Sequence, residues 1–334
     1  MNKGRIIKSF LSIIAVCLVL VLIGFYQLRE QINQVLNLKE PQLLTVVEGQ
    51  YAHSILNQLK NDGLLAHNIG LKLLLKFKPT LAKVRLGTYE ITPRMTGVDV
   101  LELLSSGAEK QFSISLVEGL RWRDWVTQIT QHPTLVVLPS FDVFIEKLQS
   151  NVHGNSLEGW LMPETYFFTN GTNATGVIQR AYDDMSNYLS QAWEMRALDL
   201  PYETPYEALI MASIIEKETA VASERPRIAA VFVNRLRINM RLQTDPTVIY
   251  GMGESFDGNI RRKDLRNSTP YNTYVIKGLP PTPIAMPSKL AIDAALHPNT
   301  TEELYFVAKG DGSHKFSLTL QEHNLAVRQY QLKK

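Results

Sequence analysis

The feature that most constrains this chain is an uncharged, almost wholly apolar run near its N-terminus, from Phe10 to Tyr26 (FLSIIAVCLVLVLIGFY). A helix needs about 20 such residues to cross the hydrocarbon core of a bilayer. A cleaved signal peptide is the alternative, but the residues after the run are bulky and offer no small-x-small cleavage site. We therefore predict an uncleaved transmembrane anchor over residues 10–28.

Positive charge before the run predicts its orientation. Lys3, Arg5 and Lys8 lie on the N-terminal side, and clusters of this kind remain in the cytoplasm. We expect a cytoplasmic tail over residues 1–9, one pass through the inner (cytoplasmic) membrane, and a periplasmic C-terminal part.

The composition argues against several classes of function. Lys and Arg total 35 against 32 acidic residues in 334, and a net charge of +3 does not indicate a nucleic-acid partner. The one cysteine, Cys17, lies inside the apolar run, so the exported part has no thiol chemistry. The seven histidines show no HExxH or similar pairing. We therefore expect neither a metal nor a cofactor.

Beyond the anchor, short apolar segments predict a mixed α+β fold in two parts. Residues 29–42 are polar and are predicted to form a stalk. Residues 43–112 are predicted to form a small α+β module, in which two strands flank apolar helices. Residues 113–334 are predicted to form a larger α+β domain.

One helix of this larger domain has clear start signals. Thr204 is a capping residue, Pro205 suits the first helical position, and Glu207 completes a capping box. The sequence therefore predicts a helix that begins at Pro205.

Glu218 is the unusual residue of this helix. At about 100° per residue, the large apolar side chains within 210–215 fall in one stripe, with Glu218 in its middle and Glu216 on the opposite side. Burial raises the pKa of a carboxyl group, and a carboxyl that keeps its proton near neutral pH can act as an acid catalyst. The alternative is that Glu218 lies in solvent at the helix end, beside Lys217.

Several segments, taken together, resemble the YceG-like family. They are EGW at 158–160, PETY at 163–166, IIEKETAVASER at 214–225, VFVNRLRINMRLQTDPTVIYG at 231–251, YNTY at 271–274, GLPP at 278–281, YFVA at 305–308, GSHKFS at 312–317 and EHN at 322–324. The resemblance extends over nearly the whole chain, including the anchor.

The resemblance implies an endolytic lytic transglycosylase of peptidoglycan. Such an enzyme cuts the β-1,4 bond between N-acetylmuramic acid and N-acetylglucosamine, leaves 1,6-anhydro-muramic ends and limits the elongation of glycan strands. The family's catalytic glutamate falls on Glu218, the second glutamate of EKET. By the same resemblance, one carboxylate serves first as acid and then as base, with no metal and no cofactor.

The resemblance also assigns the two parts of the chain. Residues 43–112 resemble a LysM module, a peptidoglycan-binding fold, although Gly49 is followed by Gln-Tyr where that fold usually has Asp-Thr. Residues 113–334 correspond to the YceG-like catalytic domain. The chain departs from the family pattern at three loop positions, where Gly, Asn and Gly are more usual: Thr282, Met286 and Ser288.

Six further residues are candidates for binding the glycan. Amides can bond hydroxyl and acetamide groups, and aromatic rings can cover the apolar face of a sugar. The candidates are Gln243, Asp245, Tyr271, Asn272, Tyr274 and His314. Asp245 has two other interpretations: a second carboxylate, which makes hydrolysis possible, or a turn residue before proline. The two tyrosines can instead be core or turn residues.

The expected partners are peptidoglycan glycan strands, the cytoplasmic membrane through residues 10–28, and peptidoglycan synthases or division proteins. Two other functions remain open at this point: a non-catalytic, membrane-anchored adaptor that binds the wall, and a two-carboxylate muramidase. Glu218 argues against the adaptor, which has no use for a carboxyl group on an apolar helix face.

Overall fold

The structure of the protein, a computed structural model, describes residues 3–332, with side chains from residue 8 onward. These residues divide into two compact units. The first contains the chain through Phe112 together with Phe168–Asn170, and the second contains Ser113–Phe167 and the chain from Gly171 onward.

The N-terminal helix α1 (Lys3–Asn33) is long and apolar enough to cross a membrane, by length and composition. Its large apolar side chains between Phe10 and Tyr26 are exposed to the surroundings rather than packed against protein. This surface is consistent with a membrane anchor or a signal sequence. Near its end, α1 lies so close to Gly70 that a Cβ atom there would be 3.1 Å from the Cβ of Gln31.

A two-stranded antiparallel sheet and three helices form the body of the first unit. Leu44 lies opposite Tyr89 in the sheet, and both are buried with Leu56, Leu71 and Leu101 in one core. The elements are β1 (Gln42–Val46), α2 (Ala52–Asn61), α3 (Ile69–Phe77), β2 (Gly87–Ile91) and α4 (Gly97–Ser106). This order confirms an α+β arrangement; a LysM relationship stays a prediction.

The segment predicted as a stalk is partly packed into this unit. Leu36 is 4% exposed and belongs to the core, and its N–H donates to the carbonyl of Met95 at 2.7 Å. Val35 forms an isolated bridge with Thr96. Residues 29–42 are therefore divided between helix α1 and the packed unit, because burial of Leu36 outweighs the polar character of its neighbours.

The second unit is mixed, with long helices and short strands. Strand β3 pairs with β5, β4 pairs in parallel with β6, and β7 forms an antiparallel hairpin with β8. The elements are β3 (Phe112–Ser115), α5 (Trp122–Thr130), β4 (Leu135–Val136), α6 (Phe141–Ser150), β5 (Thr165–Phe168), β6 (Thr172–Asn173), α7 (Ala174–Glu194), α8 (Pro205–Glu218), α9 (Arg225–Arg237), α10 (Asp245–Met252), α11 (Lys289–Leu296), β7 (Tyr305–Ala308), β8 (His314–Ser317) and α12 (Leu320–Tyr330).

Helix α8 is the central helix of this unit. Its predicted start is confirmed: Thr204 Oγ1 accepts the N–H of Glu207 at 3.3 Å, and the Glu207 carboxylate accepts the N–H of Thr204 at 3.3 Å. The predicted single apolar stripe is wrong, because every residue from Ala208 to Ile215 is buried. Helices α7, α9, α10 and α11 pack around α8, and a helix enclosed in this way has no solvent face over that stretch.

Candidate active site

Glu218 is the last residue of α8, and the chain turns to an extended conformation at Thr219, which has φ −148°. One carboxylate oxygen of Glu218, Oε1, accepts a hydrogen bond from the hydroxyl of Thr244, which immediately precedes α10. The sequence alternative of a solvent-exposed Glu218 at a frayed helix end is therefore not what the structure shows.

A group of buried threonines holds the partner of Glu218 in place. The N–H of Thr244 donates to Thr273 Oγ1 at 3.1 Å, and Thr247 Oγ1 donates to the carbonyl of Thr244 at 2.8 Å. All three threonines are at most 3% exposed. Because its backbone is fixed on both sides, Thr244 presents its hydroxyl to Glu218 in a defined direction.

The surroundings of Glu218 favour its protonated form. Burial raises the pKa of Glu218 from 4.5 to about 6. The hydrogen bond from Thr244 lowers this pKa, the negative charge of Asp245 raises it, and His314 and Arg235 lower it. The carboxyl group can therefore give up a proton and take one back near neutral pH.

Glu218 lies on the wall of a cavity of about 480 Å³. The wall is built from the ends of α8 and α9, the segment before α10, the β7–β8 hairpin and α12. Its lining residues are Glu218, Arg235, Gln243, Thr244, Asp245, Tyr274, Tyr305, Phe306, Val307, Ala308, His314, Leu320, His323, Val327 and Gln331.

A second cavity of about 460 Å³ also reaches Glu218. Apart from Glu218 itself, the two cavities share no lining residue. The second is lined by Val117, Glu118, Gly119, Leu120, Glu216, Lys217, Glu218, Thr219, Ala220 and Arg225. Glu218 thus lines open space on two sides of the end of α8, an arrangement that suits a chain-like ligand passing this residue.

Four of the six predicted binding residues line the cavity with Glu218: Gln243, Asp245, Tyr274 and His314. The backbone of Gln243 has φ +51° and donates its N–H to the carbonyl of Thr273 at 3.2 Å. The hydroxyl of Tyr274 donates to Asp245 Oδ1 at 2.7 Å. Because burial and Asp245 raise the pKa of Tyr274, this hydroxyl stays protonated.

The other two predicted binding residues, Tyr271 and Asn272, do not line the cavity. The Tyr271 hydroxyl is hydrogen-bonded to Thr282 Oγ1 at 2.8 Å, and its ring packs against Tyr250 with centroids 4.8 Å apart. Asn272 is 1% exposed; its amide group donates to the carbonyl of Asn267 at 2.6 Å and accepts the N–H of Tyr274 at 3.0 Å. Both residues shape the loop that carries Thr273 and Tyr274, because their polar groups are used within the protein.

His314 begins β8 and is tied to Glu224, just before α9. Its Nδ1 lies 2.7 Å from Glu224 Oε2, and its backbone N–H donates to Glu224 Oε1 at 3.0 Å. Desolvation raises the pKa of Glu224, but the hydrogen bonds from His314 outweigh it and hold that pKa below its usual value.

Among the cavity residues that sequence reasoning missed are Arg235, Tyr305 and His323, together with Thr244, the hydrogen-bond partner of Glu218. Arg235 is 7% exposed and donates through Nε to the carbonyl of Leu304 at 2.7 Å. Tyr305 stacks against His323, with centroids 5.3 Å apart. Arg235 could have been identified from the sequence, because a cation within the apolar segment of α9 needs a buried partner. The positions of Tyr305 and His323 depend on long-range packing.

Glu216 has a different role from Glu218. Its Oε1 accepts from Arg225 Nη2 at 3.0 Å, and its Oε2 accepts the N–H of Ser288 at 2.9 Å together with the Ser288 hydroxyl. Glu216 therefore joins the end of α8 to the starts of α9 and α11. Within residues 3–332, no group of three or more His, Cys, Asp or Glu side chains is placed to hold a metal ion.

Comparison with known proteins gives a consistent picture. An endolytic murein transglycosylase of Bacillus subtilis is 32% identical over 307 residues, which cover 86% of this chain and 84% of that protein. One from Streptococcus pneumoniae is 26% identical over 329 residues, 88% of this chain and 59% of that protein.

A solved structure is also similar to this chain. The crystal structure of a YceG-like protein from Listeria monocytogenes matches with a TM-score of 0.53 and 28% identity, covering 86% of this chain and 99% of the other. The sequence profile of the YceG-like family matches residues 44–329. This chain therefore belongs to the YceG-like family.

Proposed function

We propose that this protein is an endolytic murein transglycosylase in which Glu218 is the catalytic acid and base. The observation that carries the proposal is one residue, Glu218, that lines two cavities and whose carboxyl pKa is raised by burial. A glycan strand that enters one cavity and leaves through the other places an internal glycosidic bond at Glu218. The Bacillus and Streptococcus relatives carry the name of this activity.

The reaction proceeds in two steps. Glu218 first gives its proton to the glycosidic oxygen, the C1–O bond breaks, and the acetamido oxygen of the muramic acid shares the positive charge at C1. The Glu218 carboxylate then removes the proton of the 6-hydroxyl group, whose oxygen bonds to C1. The product is a 1,6-anhydro end, no water is consumed, and Glu218 has regained its proton.

The neighbours of Glu218 suit both steps. The protonated form needed first is favoured by burial and by Asp245. The ionised form needed second accepts a hydrogen bond from Thr244 and is favoured by Arg235 and His314. A pKa of about 6 keeps both forms within reach near neutral pH.

Asp245 supports one second candidate function, a hydrolase that uses two carboxylates. Asp245 lines the Glu218 cavity, where a carboxylate can activate water. Its Oδ1 already accepts the hydroxyl of Tyr274, and this hydrogen bond favours a positioning role within the cavity wall. We assign contact with the sugar to Gln243, Tyr274 and His314, because these three polar residues line the same cavity.

Helix α1 anchors the protein in the cytoplasmic membrane, with Lys3, Arg5 and Lys8 inside and the chain from residue 29 onward in the periplasm. Residues 43–112, which belong to the first unit, bind peptidoglycan as a LysM-like module. Peptidoglycan synthases or division proteins are its protein partners.

The deciding experiment is mass spectrometry of products released from isolated peptidoglycan by the full chain in detergent. Anhydro-muramic ends are lighter than reducing ends by one water, so the mass separates lyase from hydrolase. We expect anhydro ends from the wild type and from Asp245→Asn, and no products from Glu218→Gln. Reducing ends from the wild type that disappear in Asp245→Asn would establish the two-carboxylate hydrolase instead.

A further inference from the structure

His314 has one ring nitrogen engaged and one available. Nδ1 is bonded to Glu224, whereas no hydrogen bond to Nε2 is formed by any group in the part of the chain that the structure describes. The residue lines the same cavity as Glu218. A ligand in that cavity can therefore meet an imidazole nitrogen with unused hydrogen-bonding capacity.

The orientation of the His314 ring is defined by its surroundings. Phe306 contacts it edge-on, with centroids 5.4 Å apart and an interplanar angle of 90°, and Phe316 lies at 6.3 Å and 62°. Glu224 bonds both the ring and the backbone N–H of the same histidine. A carboxylate beside Nδ1 favours the tautomer with the proton on that nitrogen, so Nε2 is the ring nitrogen that remains for a ligand.

We propose that Glu224 is a positioning residue, which holds His314 by Nδ1 so that Nε2 faces a polar group of the bound glycan in the Glu218 cavity. Sugar hydroxyl groups both donate and accept, so Nε2 can bind them whether or not it carries a proton. The proposal rests on the proposed function, because it takes the ligand of this cavity to be the glycan.

A second carboxylate link between the same elements provides a matched control. Glu303, just before β7, accepts from Arg227 Nε of α9 at 2.8 Å, and neither residue lines the Glu218 cavity. Glu224→Gln and Glu303→Gln each weaken one connection between the β7–β8 hairpin and the region of α9. A purely structural role predicts similar effects of the two substitutions on melting temperature and on activity.

The test uses the full chain in detergent and compares these two variants with His314→Gln and the double variant Glu224→Gln/His314→Gln. We expect kcat/KM for release of glycan fragments to fall about tenfold in Glu224→Gln and in His314→Gln, and to stay near wild type in Glu303→Gln. Because Glu224 acts through His314, the double variant should lose no more than His314→Gln alone. A loss of about a hundredfold in the double variant, the product of two independent effects, would overturn the proposal.

A spectroscopic measurement separates this proposal from the proposed function. In NMR spectra of protein labelled with ¹⁵N-histidine, the His314 signals are those that disappear in His314→Gln. Glu224→Gln should change the Nδ1 signal of the His314 ring. The control Glu303→Gln should leave that signal in place. An unchanged signal in Glu224→Gln refutes the positioning role even if the enzyme is active. Should Glu224→Gln fail to fold, Glu224→Asp, which keeps the charge but shortens the reach, is expected to shift the same signal. Absence of anhydro ends from the wild type counts against the proposed function alone.

Discussion

Replacing Glu218 with glutamine should abolish cleavage. The same substitution should stabilise the protein at high pH and leave its stability unchanged at low pH. Burial raises the pKa of this carboxyl from 4.5 to about 6. At about 1.4 kcal/mol per pKa unit, ionisation of Glu218 lowers the free energy of unfolding by about 2 kcal/mol. Because the pKa is higher in the folded state than in the unfolded state, ionisation costs no stability below pH 4.5. The cost appears as the pH rises above 4.5 and is complete once the pH has passed 6. Glutamine is neutral throughout, so Glu218→Gln should match the wild type at pH 4 and exceed it by about 2 kcal/mol at pH 8.

Denaturant unfolding followed by tryptophan fluorescence measures this difference. All four tryptophans, at positions 122, 125, 160 and 193, belong to the second unit, so the signal reports the unit that contains Glu218. Glu254→Gln is the control, because the Glu254 side chain is 85% exposed and should change stability little at either pH. A gain of equal size at pH 4 and pH 8 would refute the reasoning, since it would not come from ionisation. Retained cleavage by Glu218→Gln would remove Glu218 from the mechanism.

Glu158 is 4% exposed and burial raises its pKa to about 7, so Glu158→Gln should leave stability unchanged at pH 4 and raise it by about 3 kcal/mol at pH 9; equal values at both pH would contradict this. Glu216→Gln leaves its buried arginine partner without a counter-charge and should lower the free energy of unfolding by about 3–5 kcal/mol, whereas a neutral result would mean that the ion pair is dispensable. Thr244→Val removes the donor to ionised Glu218, so the pKa seen in the pH–rate profile should rise by about one unit, and a downward shift would oppose the assigned hydrogen bond. A reporter enzyme that is active only outside the cytoplasm should work when fused after the last residue, and mature chains beginning near residue 27 would overturn the anchor.

Local signals predicted much of the fold because they act over a few residues. The capping box at Thr204 and Glu207 is formed as predicted, and the two strands predicted for the module of residues 43–112 are β1 and β2. Both features depend on the chemistry of neighbouring residues and need no information about the rest of the chain. The same applies to the apolar helix α1, whose composition alone makes it a candidate membrane span.

The wall of the cavity could be predicted only in part, because it is assembled from distant segments. Gln243, Asp245, Tyr274 and His314 were found through motifs, and they do line the cavity. Tyr271 and Asn272 come from the same YNTY motif as Tyr274, but their polar groups are satisfied within the protein. A motif identifies which short segment matters, whereas long-range packing decides which of its side chains faces the ligand.

The position of Glu218 at the end of α8 bears on the proposal that one carboxyl group serves two opposite steps. The C-terminal end of a helix carries partial negative charge, which disfavours a carboxylate and so acts in the same direction as burial. Three groups lower the pKa of Glu218 instead: the hydroxyl of Thr244 before α10, Arg235 of α9 and His314 of β8. Each of these groups comes from a different element, and none is near Glu218 in sequence. The proton affinity of Glu218 is therefore a property of how the second unit packs, so a substitution that shifts α9, α10 or the β7–β8 hairpin should change the pH dependence of cleavage before it changes the fold.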